Sequence, residues 1–284
     1  MTPQTARKYA ELQHRLRSLG SVVVAFSGGV DSALLLKAAA DTLGTGNVLA
    51  VTGRSPAVPT SDLEAAQRVA AEIGVPHETI DTTEFADDHY TSNPVDRCYY
   101  CKADLFAHLV RLARQRGLCA VVCGDNADDV GDYRPGRQAA SQQGVVSPLA
   151  ECGITKDELR EMAVALGLSI HDKPASPCLA SRVPYGEPIT PEKLRRIDQA
   201  ELFLRQQGFI ECRVRHHGPI ARIEVPLDQI PRLVAGELRQ RVDARLRELG
   251  FAFVTVDLRG LRSGSLNEAA LGAGFKSAGE VPSA

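Results

Sequence analysis

Three stretches of this chain carry residue types whose spacing can do chemistry. The first is Ser27-Gly28-Gly29-Val30-Asp31-Ser32, set directly behind the apolar run Ser21 to Phe26. Small residues between a buried strand and a helix let backbone N–H groups turn inward around an anion. The helix N-terminus adds partial positive charge there. Gly28 and Gly29 permit close approach and unusual backbone angles, and the Ser27 and Ser32 hydroxyls are further donors. Asp31 falls where phosphates would lie, and a lone carboxylate would be repelled there, so Mg2+ is its sensible partner. The Walker pattern Gly-x4-Gly-Lys-Ser/Thr is absent. A plain glycine turn between a core strand and a core helix competes with this reading. The complete string behind an apolar run favours a phosphate loop.

The second stretch, Gly124-Asp125-Asn126-Ala127-Asp128-Asp129, closes another apolar segment and runs on to Tyr133-Arg134-Pro135-Gly136-Arg137. Three carboxylates and two arginines at a strand's carboxyl end suit Mg2+ and phosphate contacts. For any single member a solvated polar loop is a fair alternative. The position in the fold favours Asp129 as a metal ligand and Arg134 as a phosphate contact.

The third set is cysteines. Cys98 and Cys101 form a Cys-x2-Cys directly before an expected helix, Lys102 to Arg116, and Cys178 stands within Lys173 to Arg182. All three read as loop residues. Cys119 and Cys123 fall on an apolar strand and are expected as buried core thiols, while Cys152 and Cys212 carry no motif. Cys-x2-Cys is compatible with zinc, a redox pair or an iron–sulfur cluster. A structural zinc site wants four ligands, and neither His89 nor His171 has diagnostic spacing to complete one. Three thiolates on a [4Fe-4S] cluster would leave one iron open for an exchangeable sulfide.

The elements that must position these residues alternate. Residues 5 to 18 suggest a short amphipathic helix, then come the strand Ser21 to Phe26, a helix from Ser32 to Leu43 and a strand from Asn47 to Thr52. Ser61-x-x-Glu64 suggests a capping box opening a helix to about Ile73, followed by strands at His77 to Asp81 and Leu118 to Gly124. Thr155-x-x-Glu158 suggests a second capping box, for a helix ending near Gly167. This alternation predicts an α/β fold with a doubly wound parallel sheet, whose ligands bind beyond the carboxyl ends of the strands.

After the Pro-rich stretch Lys173 to Pro191 the pattern changes. Thr190 caps a helix with Pro191 at its first position, and strands follow at Glu211 to His216 and Ala221 to Val225. A long helix from about Asp228 to Leu249 and a strand at Ala252 to Asp257 complete a smaller α-β-β-α-β domain. The expected division is 1–184, 185–270 and a disordered tail over 271–284. Arg213 and Arg215 alternate along one strand and so share a face, which suits a phosphate as well as a solvated edge.

With 33 basic against 35 acidic residues and no polybasic run, the electrostatic footprint of a nucleic-acid binder is missing. The N-terminal residues are polar, with no apolar segment to suggest a secretory signal or a membrane span, so the expected setting is the cytoplasm. Seven cysteines in a reducing compartment are better read as thiols or ligands than as disulfides.

The loop Ser27 to Ser32 resembles that of the PP-loop superfamily of ATP pyrophosphatases. The resemblance implies cleavage of ATP between the α and β phosphates, with AMP transferred to a substrate oxygen. Adding Cys98-Tyr99-Tyr100-Cys101-Lys102, Gly124 to Gly136, Pro177-Cys178-Leu179-Ala180-Ser181-Arg182, Arg213 to Gly218 and Gly260 to Glu268, the chain closely resembles the LarE family from about residue 5 to 270. That resemblance implies an ATP-dependent sulfurtransferase that adenylates the carboxylates of pyridinium-3,5-biscarboxylic acid mononucleotide and converts them to thiocarboxylates, towards the nickel-pincer cofactor of lactate racemase. Arg213, Arg215 and Arg262 would meet the substrate phosphate near a subunit interface, in a trimer or hexamer. Some members carry only the cysteine matching Cys178 and sacrifice its sulfur. Cys98 and Cys101 make this chain resemble the kind that holds a [4Fe-4S] cluster on three cysteines and draws on a sulfide source. A transfer RNA thiolase of the same superfamily and a non-catalytic nucleotide-binding module are the alternatives.

Overall fold

In a computed structural model of the chain, residues 1–129, 135–174 and 176–262 are described. The chain divides into two units, Met1–Pro177 and Cys178–Ala284.

The first unit opens with α1 (Pro3–Leu19), β1 (Val22–Ala25), α2 (Val30–Leu43) and β2 (Val48–Arg54). It continues with α3 (Thr60–Ile73), β3 (His77–Asp81), α4 (Asp88–Thr91) and α5 (Arg97–Arg116). β4 (Ala120–Cys123), α6 (Pro135–Gln142), α7 (Pro148–Glu151) and α8 (Lys156–Ala165) follow. The four strands pair in the order β3-β2-β1-β4, all parallel, with Val22 of β1 set between Val48 of β2 and Ala120 of β4.

The apolar runs are continuous because both sheet faces are covered. Val22, Val24, Ala50 and Val122 pack into one core with Leu12, Leu16, Leu34 and Leu159. The alternate residues Val23, Leu49, Val51 and Val121 pack into another with Phe106, Leu109 and Ala139. The chain leaves β3 at one end of the sheet and re-enters at β4 beside β1. The winding therefore reverses between β1 and β4, the place where a doubly wound sheet opens a crevice at its carboxyl edge.

The second unit contains α9 (Pro191–Gln206), β5 (Arg213–His217), β6 (Ile220–Glu224), α10 (Ile230–Leu233), α11 (Gly236–Glu248) and β7 (Phe253–Val256). β6 lies between antiparallel β5 and parallel β7. Val214, Ala221 and Ile223 pack with Ala200 and Leu204 of α9 and Val242 and Leu246 of α11. Thr190 caps α9 by accepting from the Lys193 amide, and Pro191 occupies the first turn.

Several local expectations are corrected. The helix placed over Asp228 to Leu249 is broken between Leu233 and Gly236. Ala235 is extended (ψ 146°) and Gly236 has φ +49°, a left-handed value that stops a right-handed helix. The Ser61 capping box does not form. The Pro59 carbonyl accepts from the amides of Asp62 and Leu63, so α3 begins at Thr60 and Ser61 lies inside it. The Thr155 box does form, in both directions. Cys119 is exposed ahead of β4, not a core thiol, whereas Cys123 is buried.

Candidate functional site

The loop after β1 is shaped by two glycines from opposite sides. Gly28 has φ +69°, and a Cβ there would stand 2.8 Å from the Ala66 Cα of α3. Gly124, the first residue past β4, would place a Cβ 2.9 Å from the Ser32 amide nitrogen. Both contacts are to backbone, so neither position admits a side chain. Gly29 caps α2 with no side chain to satisfy its first-turn amides, which leaves them for an external acceptor. The serine hydroxyls stitch the loop itself. Ser27 Oγ lies 3.1 Å from Ser32 Oγ, and Ser32 Oγ donates to the Gly29 carbonyl at 3.1 Å.

Asn126 joins the two acidic stretches. Its backbone N–H donates to Asp129 Oδ2 at 3.0 Å, and its side-chain amide donates to Asp31 Oδ2 at 3.2 Å. Asp129 is buried and Asp31 half-buried. The other oxygen of Asp31 is ion-paired with Lys156 Nζ, at the first position of α8. Asp128 accepts from the Lys156 amide at 2.7 Å, and Arg137 donates to the Asp129 carbonyl at 3.1 Å. Lys173 Nζ donates to the Gly28 carbonyl (3.1 Å) and to Asp62 (3.3 Å), which also accepts from Ser176 Oγ at 2.7 Å. Two lysines thus approach the loop, one at its carboxylate and one at its backbone. Arg134 lies outside the described residues.

Cys98 and Cys101 lie within α5, not in a loop before it. Helical propensity is low across Cys-Tyr-Tyr-Cys, yet the helix includes it. The helix begins at Arg97, where one local and one tertiary contact hold that turn. Arg97 is buried and donates to Asn93 Oδ1 at 2.9 Å, and Tyr99 Oη donates to Gln142 of α6 at 2.7 Å. The consequence is chemical, since residues three apart on a helix are neighbours on one face. Cys98 is exposed and Cys101 half-buried. Among the described residues no three His, Cys, Asp or Glu side chains gather as a metal site.

In the second unit Cys178 caps the short turn Leu179–Arg182 and is half-buried. Its carbonyl accepts from Arg182 Nη1 at 3.0 Å and from Ser181 Oγ at 2.8 Å. Arg182 and Glu201, both fully buried, form a bidentate pair at 2.8 and 2.9 Å, and Glu201 also accepts from the Val214 amide. Burial works to raise the Glu201 pKa, but Arg182 outweighs it and the carboxyl is held below the usual range. Arg215 is buried, which excludes the solvated-edge reading for it. It donates to the Ser181 carbonyl and to Glu224, each at 2.8 Å. Arg213 is half-buried on the same strand, and burial together with the charge of Arg182 pushes its pKa down. Arg262 lies 3.8 Å from Asp257. Residues 263–268 of the matching C-terminal motif, and the tail, lie outside the described residues.

Sequence reasoning missed Asn126 as a bridge, and Lys156, Lys173 and Glu201 altogether. One signal was legible. A lysine at the first position of a helix opposes the macrodipole, a local conflict of the kind that marks functional sites.

The family model described as asparagine synthase matches residues 10–165. The chain is 46% identical over 260 residues to an uncharacterised protein of Synechocystis sp., covering 92% of this chain and 97% of that protein. It is 40% identical over 263 residues to the pyridinium-3,5-bisthiocarboxylic acid mononucleotide synthase of Lactiplantibacillus plantarum, covering 93% and 95%. The tRNA-specific 2-thiouridylase MnmA of Rickettsia felis is 28% identical over 193 residues, 55% of this chain and 52% of that protein.

Proposed function

The chain belongs to the pyridinium-3,5-bisthiocarboxylic acid mononucleotide synthase family, within the group matched by the asparagine synthase model, and on that footing we propose how it works. It is an ATP-dependent sulfurtransferase. Its substrate is pyridinium-3,5-biscarboxylic acid mononucleotide. A substrate carboxylate oxygen attacks the α-phosphorus of ATP, the bond to the β-phosphate oxygen breaks, and pyrophosphate leaves with the electron pair. Sulfur then displaces AMP. Oxide is a poor leaving group and AMP a good one, so adenylation is what makes the exchange feasible.

The observation that carries this reading is the meeting of Asp31 and Asp129 on Asn126, beside the uncapped start of α2. The amides of that first turn hold phosphate oxygens, while Gly28 and Gly124 let the backbones of α3 and α2 pack directly against the loop. Carboxylates are the donor type that Mg2+ takes, so Asp31 and Asp129 would hold it. Mg2+ would supply neutralisation of phosphate charge. Arg213, Arg215 and Arg262 would meet the substrate phosphate. Arg213 is already partly desolvated and next to Arg182, so an incoming anion relieves it.

Cys98 and Cys101, on one face of α5, and Cys178 would hold a [4Fe-4S] cluster. Thiolates are the ligand type such a cluster takes, and three of them fit its exchangeable kind. The cluster would supply a labile sulfide drawn from an external source, in a reducing cytoplasm. The family's trimer or hexamer is carried over with it, and the exposed Phe253 and Leu258 of the second unit are compatible with burial by another subunit.

Anaerobic purification tests the sulfur source. The expected protein is brown, with visible charge-transfer absorbance that is lost in Cys98→Ala and Cys101→Ala, and Cys178 has unchanged mass after turnover. Conversion of Cys178 to dehydroalanine would show the sacrificial route instead.

A further inference from the structure

The peptide between Phe26 and Ser27 is where β1 gives way to the phosphate loop, and both of its polar groups are held. The Phe26 amide makes the last ladder bond, to the Val51 carbonyl at 2.8 Å. The Phe26 carbonyl then accepts from the Thr52 hydroxyl of β2 at 2.7 Å. On the opposite side of the same peptide plane, the Ser27 N–H donates to Ser32 Oγ at 3.3 Å. Ser32 Oγ passes its own proton to the Gly29 carbonyl, at the start of α2. Thr52 is buried and has one hydroxyl proton. A carbonyl cannot donate, so that proton goes to Phe26. His77 Nε2, 2.8 Å from the same hydroxyl oxygen, is therefore a donor to it. His77 opens β3 two residues before Thr79, the register partner of Thr52, so both side chains lie on one sheet face. Its ring stands edge-on to Phe26 with centroids 6.1 Å apart. Burial lowers its pKa, so the ring holds a single proton near neutral pH. A buried threonine needs only one acceptor to be satisfied. An imidazole behind it, taken partly out of water, adds direction by fixing which way the hydroxyl points.

We propose that Thr52 and His77 are positioning residues for ATP, acting through the first peptide of the phosphate loop. The hydrogen-bond chain runs from His77 Nε2 to Thr52, to the Phe26–Ser27 peptide, to Ser32 and on to Gly29. It aims that peptide before nucleotide arrives. Rotation of the peptide would carry the Ser27 N–H off Ser32 and loosen the tie between the loop and α2. Donors already in place lose little freedom on binding, so the effect of the chain falls on ATP affinity. His77 keeps its proton on Nε2 and leaves Nδ1 bare. The inference rests on the reading of Ser27 to Ser32 as the phosphate loop.

The test pairs nucleotide binding with a spectrum of the parent protein. Thr52→Val keeps the branched shape and removes the hydroxyl, whereas Thr52→Ser keeps the hydroxyl. Thr52→Val should weaken binding of α,β-methylene-ATP and raise the KM for ATP about ten-fold, the loss of one hydrogen bond, with a smaller change in kcat. Thr52→Ser should stay near the parent. His77→Gln, whose amide can still donate, should bind the analogue more tightly than His77→Leu. A proton–nitrogen correlation spectrum of histidine-labelled parent protein, with the His77 signals identified by their loss in His77→Gln, should show Nε2 protonated and Nδ1 bare. That readout does not depend on the folding of a Thr52 variant. Unchanged affinity in Thr52→Val, whatever its melting temperature, or a His77 proton on Nδ1, would overturn the positioning role alone. Analogue binding that survives Gly28→Ala unchanged would overturn the loop reading on which it rests.

Discussion

Gly28 and Gly124 set the dimensions of the nucleotide loop, and each does so against backbone that cannot yield. At Gly28 the left-handed φ and the 2.8 Å approach to Ala66 act together. Gly28→Ala should therefore cost roughly 1–3 kcal/mol of stability and abolish ATP binding. Chemical denaturation and nucleotide titration check both parts, and a variant that still binds ATP normally would contradict this account of the loop. The role of Gly28 was legible in the sequence because the whole string pointed to a loop behind a buried strand. Asn126 was not legible, because its partner lies 95 positions away, and at Lys156 only the conflict with the helix dipole was, not its partner 125 positions away. Spacing along the chain reveals contacts within one turn, whereas pairs that meet only through sheet topology leave no local trace.

At the scale of elements, the early start of α5 matters most. It turns a Cys-x2-Cys expected in a loop into two thiols on one helical face. Propensity alone could not place that boundary, because the buried contact of Arg97 with Asn93 holds the first turn. The Thr155 box forms because its hydroxyl accepts from the Glu158 amide, whereas at Ser61 the Pro59 carbonyl takes the first-turn amides instead. In the second unit, the turn carrying Cys178 hangs on the Arg182–Glu201 pair. Removing one partner leaves a buried charge uncompensated, so Arg182→Met should lower stability by roughly 3 kcal/mol or more. Thermal unfolding reads this directly. An unchanged melting temperature would mean that the pair does not hold the turn.

Across the whole molecule, the doubly wound parallel sheet follows from alternating apolar runs and helices and was legible in the sequence, whereas the strand order that puts the reversal between β1 and β4 was not. The long helix expected over Asp228 to Leu249 was not divided in advance, since the backbone conformation at Gly236 is invisible in composition. Stability of the second unit should depend on pH through His216 and His217. Burial is the largest influence on each and holds both below their ordinary pKa. Unfolding restores values near 6.5, so the unfolded chain takes up more protons as the solution is acidified. Stability is then fully present above about pH 6.5 and declines below it. Carboxylates held low, such as Glu201, add to the loss only below about pH 4.5, the range in which an unfolded glutamate takes up its proton. Urea midpoints between pH 7.5 and 5.5 would contradict this if they did not fall.

Among the described residues no helix is long and apolar enough to cross a membrane. The acidic balance of the chain gives no reason to expect salt-dependent RNA binding in a filter assay. The most direct test of the central claim is mass spectrometry of pyridinium-3,5-biscarboxylic acid mononucleotide after anaerobic incubation with the protein, Mg–ATP and sulfide. The account predicts sulfur in place of carboxylate oxygen, with AMP and pyrophosphate formed only when that substrate is present. ATP cleavage that ignores the pyridinium nucleotide, or a product in which oxygen is retained, would contradict it.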